Sequence, residues 1–249
     1  MAARPLVLIL AAAVSASALA GCAYNEALGR NQLILTDSAG LEQQSRAAWQ
    51  ELLRTQNATR GGAQVDRIRR VGDRLAQAAG LGGRAWEYAV FNSASPNAFV
   101  LPSGQIGVTS GLLSLVQNDD QLATVIGHEM AHVTAQHAAE RASSTALTNL
   151  GLSVAQGVAG SRGEQVGSFG AVAAQFGLLL PYSRRDELEA DRLGVDYMAA
   201  AGFRPSQSVA LWRLMAQQGT SRPEFASTHP SDASRIQALE GYIRERGWN

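Results

Sequence analysis

The chain is poor in cysteine and histidine, and it has no surplus of either charge. One thiol, Cys22, stands alone among 249 residues. No disulfide can therefore staple the fold, which must rest on its core or on a bound metal. Aromatic residues make up only 6%, and 21 basic residues balance 21 acidic ones. That balance leaves no basic surface for nucleic acid. No repeat with a period of 20–50 residues is visible, which argues against a helical-repeat array. After Cys22 no apolar run reaches the roughly 20 residues a membrane-spanning helix needs. The stretch rich in small and apolar residues, 143–180, is interrupted by Ser161-Arg162-Gly163-Glu164-Gln165. It reads instead as a pair of helices packed near the functional site.

Against this scarcity, two of the four histidines fall in Gly127-His128-Glu129-Met130-Ala131-His132. The chain has twelve glutamates, so composition alone gives about 0.003 expected occurrences of H-E-x-x-H, and chance is a poor explanation. On a helix, residues four apart share a face. His128 and His132 can then grip one metal ion, with Glu129 beside them as the base that activates a water. The local signals support a helix from about Asp119 to Ala142, buried along one side. Asn118 and Gln121 form a capping-box-like pair, and Asp119 and Asp120 suit the positive end of the helix dipole. His137 lies nine residues past His128, a rotation of roughly 180°. It is expected to point away from the metal.

Residues 1–21 read as an export signal. Arg4 precedes an apolar run from Leu6 to Ala20 that suits a signal h-region and is short for a membrane span. The run ends in Leu19-Ala20-Gly21-Cys22, which resembles a bacterial lipobox. That resemblance implies cleavage before Cys22 and its lipidation. Ala23 in the next position implies, by similarity to Gram-negative sorting, the periplasmic side of the outer membrane. Residues 22–40 are then a lipid-anchored tether with a short ordered lead-in, and 41–249 are the functional domain.

Within that domain, helices are expected over Leu41–Asn57 and Ala63–Ala79, the second closed by Gly80. The period then drops to two. Trp86–Phe91, Ala98–Leu101 and Gln105–Thr109 read as strands, the last two joined by Pro102-Ser103-Gly104. A short helix over Gly111–Val116 leads into the metal helix. An edge strand above such a helix can pair with an extended substrate through backbone hydrogen bonds.

The third ligand comes from Ser183–Gly194. Glu187 and Asp191 share a face that continues through Gly194, Val195 and Met198, which are small or apolar and point inward. Glu189 shares its face with Arg192 and Asp196 and is left at the surface. Glu187 is therefore the expected ligand. Asp191 is placed to hold a ligand imidazole by its second nitrogen. Further helices are expected over Ala210–Gln218 and from a Ser231 cap to about Arg246. His229 sits in the loop before that cap.

The combination of His128-Glu129-x-x-His132, Glu187-x-x-x-Asp191, Asn97-Ala98-Phe99 before a glycine turn, and Thr228-His229-Pro230 followed by Arg235 resembles one gluzincin metallopeptidase family. It includes the HtpX proteases, the CAAX prenyl endopeptidases, mitochondrial Oma and the periplasmic BepA and LoiP proteins. The likeness covers about Val65 to Ile243 and is closest to the compact LoiP-type lipoproteins. It implies an α+β, zincin-like fold, mainly helical, with a small sheet edging the cleft. It implies one zinc ion per chain on His128, His132 and Glu187, Glu129 as base, and Asn97, Ala98 and Phe99 on the substrate-binding strand. It also implies that His229 approaches the site, either to polarise the scissile carbonyl or to plug the metal's open position. The expected activity is a zinc endopeptidase acting on unfolded or misassembled envelope proteins. The alternative is a latent site in an outer-membrane assembly or chaperone factor.

Overall fold

A four-stranded sheet separates two cores of unequal size. The computed structural model describes residues 22–156 (backbone only over 149–156), 182–217, 228–229 and 233–248. The described residues open with strands β1 (Cys22–Asn25) and β2 (Arg30–Leu33), then helix α1 (Ser38–Thr55), β3 (Ala58–Thr59), α2 (Ala63–Ala78), β4 (Glu87–Phe91), β5 (Ala98–Val100) and β6 (Gln105–Thr109). Helices α3 (Ser110–Leu115), α4 (Asp119–Thr134), α5 (His137–Gln156), α6 (Arg184–Ala200), α7 (Ser206–Ala216) and α8 (Ala233–Glu245) complete the described elements. The architecture is mainly helical with small sheets.

The sheet order is β3-β4-β6-β5, with β4 and β6 parallel and the outer pairs antiparallel. Alternation along β4 explains the two cores. Tyr88 and Val90 turn towards α2 and α4 and join the larger one, whereas Ala89 and Phe91 pack with Trp49 and Leu52 of α1. This is the period-two pattern of a sheet covered on both faces. Phe99 also lies towards α1. Its ring crosses Gly107, where a Cβ would stand 2.4 Å from it. Ala98 and Val100 face the larger core. Strand β5 ends the sheet order, so its outer edge has no strand partner among the described residues.

Helix α4 runs through the larger core. Asn118 caps it by accepting from the Gln121 amide. Every residue from Gln121 to Val133 is buried, so the helix is enclosed on all sides rather than on one. Helix α6 crosses it at Gly127 and Gly194. A Cβ on Gly194 would lie 3.0 Å from the His128 amide nitrogen, and one on Gly127 would lie 3.1 Å from the Gly194 carbonyl oxygen. Two bare backbones in contact bring the side chains of Glu187 and Asp191 over those of His128 and His132.

Two expectations are corrected. The metal helix does not continue to residue 142: it ends at Thr134 and turns through Gln136, whose φ is 53°. The chain then re-enters a helix at His137. The segment 22–40, read as a tether, begins with an antiparallel hairpin that pairs Cys22 with Leu33 and Asn25 with Arg30. Helix α1 then starts at Ser38. The hairpin packs on the end of α4: Asn25 and Gln32 donate side-chain hydrogen bonds to the carbonyls of Thr134 and Ala135. Of the helix pair expected over 143–180, α5 covers the part to Gln156; the rest lies outside the described residues. So do the proposed signal segment and the Ser231 cap. No described helix is long and apolar enough to cross a membrane.

Candidate metal centre

Four buried side chains converge beneath β5. One ligand atom from each of His128, His132, Glu187 and His229 lies within 4.8 Å of the others. His128 Nε2 and His132 Nε2 are 3.1 Å apart. Glu187 approaches each of them at 3.5 Å. His229 Nδ1 lies 3.0 Å from Glu187 Oε1 and 3.3 Å from His128 Nε2. Such a set of imidazoles and one carboxylate, buried and aimed at a common point, has the chemistry of a zinc-type site. Glu129 lies beside it, buried; among the described residues its Oε1 has no hydrogen bond, and His229 Nε2 approaches it at 3.5 Å. The donor set, and this carboxylate oxygen without a hydrogen bond, fit a divalent metal.

The electrostatics depend on burial first. Burial alone would raise Glu187, but the charges of His229 and Arg235 outweigh it and hold the carboxyl well below its usual range. Arg235 Nη1 stands 2.5 Å from Glu187 Oε2. Burial raises Glu129, opposed by the charges of His229 and His128. Burial likewise drives His132 well below the ordinary imidazole value. It acts the same way on His128, but that imidazole's hydrogen bonds to Asp191 and Glu187 raise it to about 9.

Each imidazole is braced from behind. His128 Nδ1 lies 3.1 Å from Asp191 Oδ1. Asp191 in turn receives two hydrogen bonds from Arg235, from Nε to Oδ2 at 2.6 Å and from Nη2 to Oδ1 at 2.9 Å. Trp212 packs edge-on against His128 and under the Arg235 guanidinium. Tyr182 stacks on His132 with ring centroids 3.9 Å apart. Beside His132, a groove lined by Leu41, Val100, Pro102, Val133 and Tyr182 opens next to β5.

The sequence reading missed the support of His132. His137 does not point away: its Nδ1 lies 2.9 Å from His132 Nδ1, because the turn at Gln136 reverses the rotation expected of an unbroken helix. Glu189 is not left to solvent either. Its side chain is 18% exposed and meets His137 Nε2 at 3.0 Å and Arg30 at 2.7 Å. His137, Asp186 and Glu189 have ligand atoms within 4.8 Å of one another. Arg30 already bonds both Glu189 oxygens, so this group is an ion-paired knot rather than a second metal site. No spacing rule signals Tyr182 or Arg30; only the folded chain brings them here.

Residues 63–243 match the profile described as Peptidase family M48. The chain is 37% identical over 182 residues to mitochondrial metalloendopeptidase OMA1 of Schizosaccharomyces pombe, covering 72% of this chain and 52% of that protein. It is 30% identical over 258 residues to metalloprotease YcaL of Escherichia coli, covering 96% of both. With the beta-barrel assembly-enhancing protease of the same species it shares 29% identity over 178 residues, 68% of this chain and 37% of the other. The chain spans about half or less of the length of the mitochondrial relatives.

Proposed function

Because this chain belongs to peptidase family M48, we propose that it is a zinc-dependent endopeptidase whose base is Glu129. The observation that carries this reading is the convergence of His128, His132 and Glu187 beside a buried carboxylate oxygen with no hydrogen bond. His128 Nε2, His132 Nε2 and a Glu187 oxygen would hold the ion. When bound, zinc supplies a Lewis acid and lowers the pKa of water to about 7. Glu129 takes the proton released and returns it to the leaving amine. Arg235 keeps Glu187 and Asp191 ionised and in place. The strand that carries Asn97, Ala98 and Phe99 aligns an extended substrate by backbone hydrogen bonds at its outer edge, where the alternation leaves the Ala98 groups while Asn97 is bonded to Thr109 of β6. The apolar groove beside His132 takes one of its side chains. Extended segments are most available in unfolded or misassembled polypeptides, and these are the proposed substrates.

Cys22 is the proposed lipid attachment point. It follows a lipobox-like sequence and is exposed at the start of β1. The outer membrane's periplasmic face and envelope quality control are part of the same proposal. They are supported by the similarity to the beta-barrel assembly-enhancing protease.

A second reading of the resting state rests on His229. Its Nδ1 completes a four-donor set, and closed four-donor sets are typical of sites without an open position. In that reading His229 plugs the site, and the protein acts mainly in outer-membrane protein assembly until the plug leaves. Casein digestion by the purified protein tests the main proposal. Cleavage should stop on chelation and return with zinc. A zinc-loaded protein that leaves casein intact would favour the plugged state.

A further inference from the structure

The N-terminal hairpin reaches the metal centre through an unbroken line of hydrogen bonds. Arg30 of β2 donates from Nε to Glu189 Oε1 and from Nη2 to Glu189 Oε2, both at 2.7 Å. Glu189 Oε2 lies 3.0 Å from His137 Nε2, and His137 Nδ1 lies 2.9 Å from His132 Nδ1. Along this line the donor roles follow from one premise, that His137 carries a single ring proton. A carboxylate bonded to Arg30 only accepts, so His137 must donate from Nε2. A neutral His137 then has a lone pair on Nδ1, and His132 must donate to it from its own Nδ1. That leaves the lone pair of His132 on Nε2, the atom facing His128 and Glu187.

The hairpin also builds the turn that makes this possible. His137 faces His132 only because the chain reverses at Ala135 and Gln136. The helix-end carbonyls exposed there are taken by Asn25 Nδ2 on Thr134 at 3.1 Å and by Gln32 Nε2 on Ala135 at 2.7 Å. Gln32 and His137 are buried. Glu140, one turn into α5, is bonded by both Arg30 and Gln32.

We infer that the hairpin Cys22–Leu33 is a positioning element for the metal centre: through Arg30, Glu189 and His137 it sets the tautomer and orientation of His132. His128 has a shorter brace, Asp191 with Arg235, so the two imidazoles are supported from opposite ends of the chain. The inference rests on the reading of His132 as a metal ligand.

The test uses the purified protein with zinc and cobalt(II) as probes. Zinc affinity is measured by competition with a chromophoric chelator, cobalt coordination by its ligand-field absorption, and folding by the thermal midpoint of the metal-free protein. Glu189→Ala and His137→Phe should each weaken zinc binding by about 10–100-fold, the usual consequence of losing an outer partner of a ligating imidazole. Both should alter the cobalt spectrum. Arg30→Ala should act in the same direction, and Arg30→Lys should restore part of the affinity. Arg54→Ala, at an exposed ion pair with Glu51, should match wild type. If Glu189→Ala and Arg30→Ala lower the thermal midpoint but keep wild-type zinc affinity and cobalt spectrum, the hairpin is only structural and the inference is overturned. If His137→Phe does not fold, Glu189→Ala and the Arg30 pair carry the decision. A folded wild-type protein that binds no zinc would overturn the reading of the site itself. That result is distinct from a zinc-binding wild type whose variants bind equally well.

Discussion

Gly194 lies against the backbone of His128, so close that a Cβ on it would stand 3.0 Å from the His128 nitrogen and 3.1 Å from the Gly127 carbonyl carbon. The obstacle is main chain, which cannot rotate aside. Replacing a helical glycine with alanine ordinarily gains about 1 kcal/mol through helix propensity. Here the contact opposes that gain, because overpacking costs roughly 1–3 kcal/mol. Gly194→Ala should therefore lower the thermal midpoint and weaken zinc retention together, since the displaced helix carries Glu187. A rise in both would show that α4 and α6 have room to spare.

Glu187→Ala removes a proposed ligand and leaves the Arg235 guanidinium, 2.5 Å from Glu187 Oε2, without that partner. Zinc affinity should fall by more than the roughly 10–100-fold expected for an outer-partner variant. Metal analysis after dialysis against a weak chelator checks this. Zinc retention like that of wild type would remove Glu187 from the ligand set.

His229 separates two chemistries. As a donor to the developing oxyanion, its loss should slow peptidase turnover by on the order of 10²-fold. As a plug, its loss should raise turnover. Its Nδ1 stands among the proposed ligand atoms, 3.0 Å from Glu187 and 3.3 Å from His128, which favours the plug. His229→Ala is expected to be faster than wild type at equal zinc occupancy. A large fall would assign it to catalysis instead.

The hairpin contact has a pH signature. Burial alone would raise Glu140, but hydrogen bonds from Arg30 and Gln32 hold its carboxyl below the usual value of 4.5. A depressed carboxylate contributes stability that is present above its unfolded pKa and is lost as pH falls through the folded one. Glu140→Gln should therefore be less stable than wild type at pH 7, by roughly 1–3 kcal/mol for bonds to a charged group. The gap should narrow as pH drops below 4.5. Thermal melts of the metal-free proteins across pH 3–7 check the sign, and a gap that widens in acid would contradict it.

What could be read in advance was local. Gly80, with a φ of 72°, closes α2 where a C-terminal glycine was expected, and Asn118 caps α4. Alternation marked β4 to β6. The inward face of Glu187 and Asp191 was legible because Gly194, Val195 and Met198 continue it. What could not be read depends on contacts between residues 52 to 159 apart in the chain. Gln136 adopts a positive φ at a helix end whose carbonyls are held by Asn25 and Gln32. Periodicity could not foresee that reversal, so His137 was rotated to the wrong side. The Glu189 face was rightly judged polar, but its partners Arg30 and His137 come from elements that no pattern near residue 189 announces.

The most direct test of the account is the rate of casein cleavage by Glu129→Gln beside wild type, both measured at the same zinc occupancy. The amide keeps the shape of the side chain but cannot take a proton at neutral pH. The account predicts full zinc retention with turnover lowered by at least the 10²–10⁴-fold range typical of losing a general base. A Glu129→Gln protein that cleaves casein at the wild-type rate would contradict it.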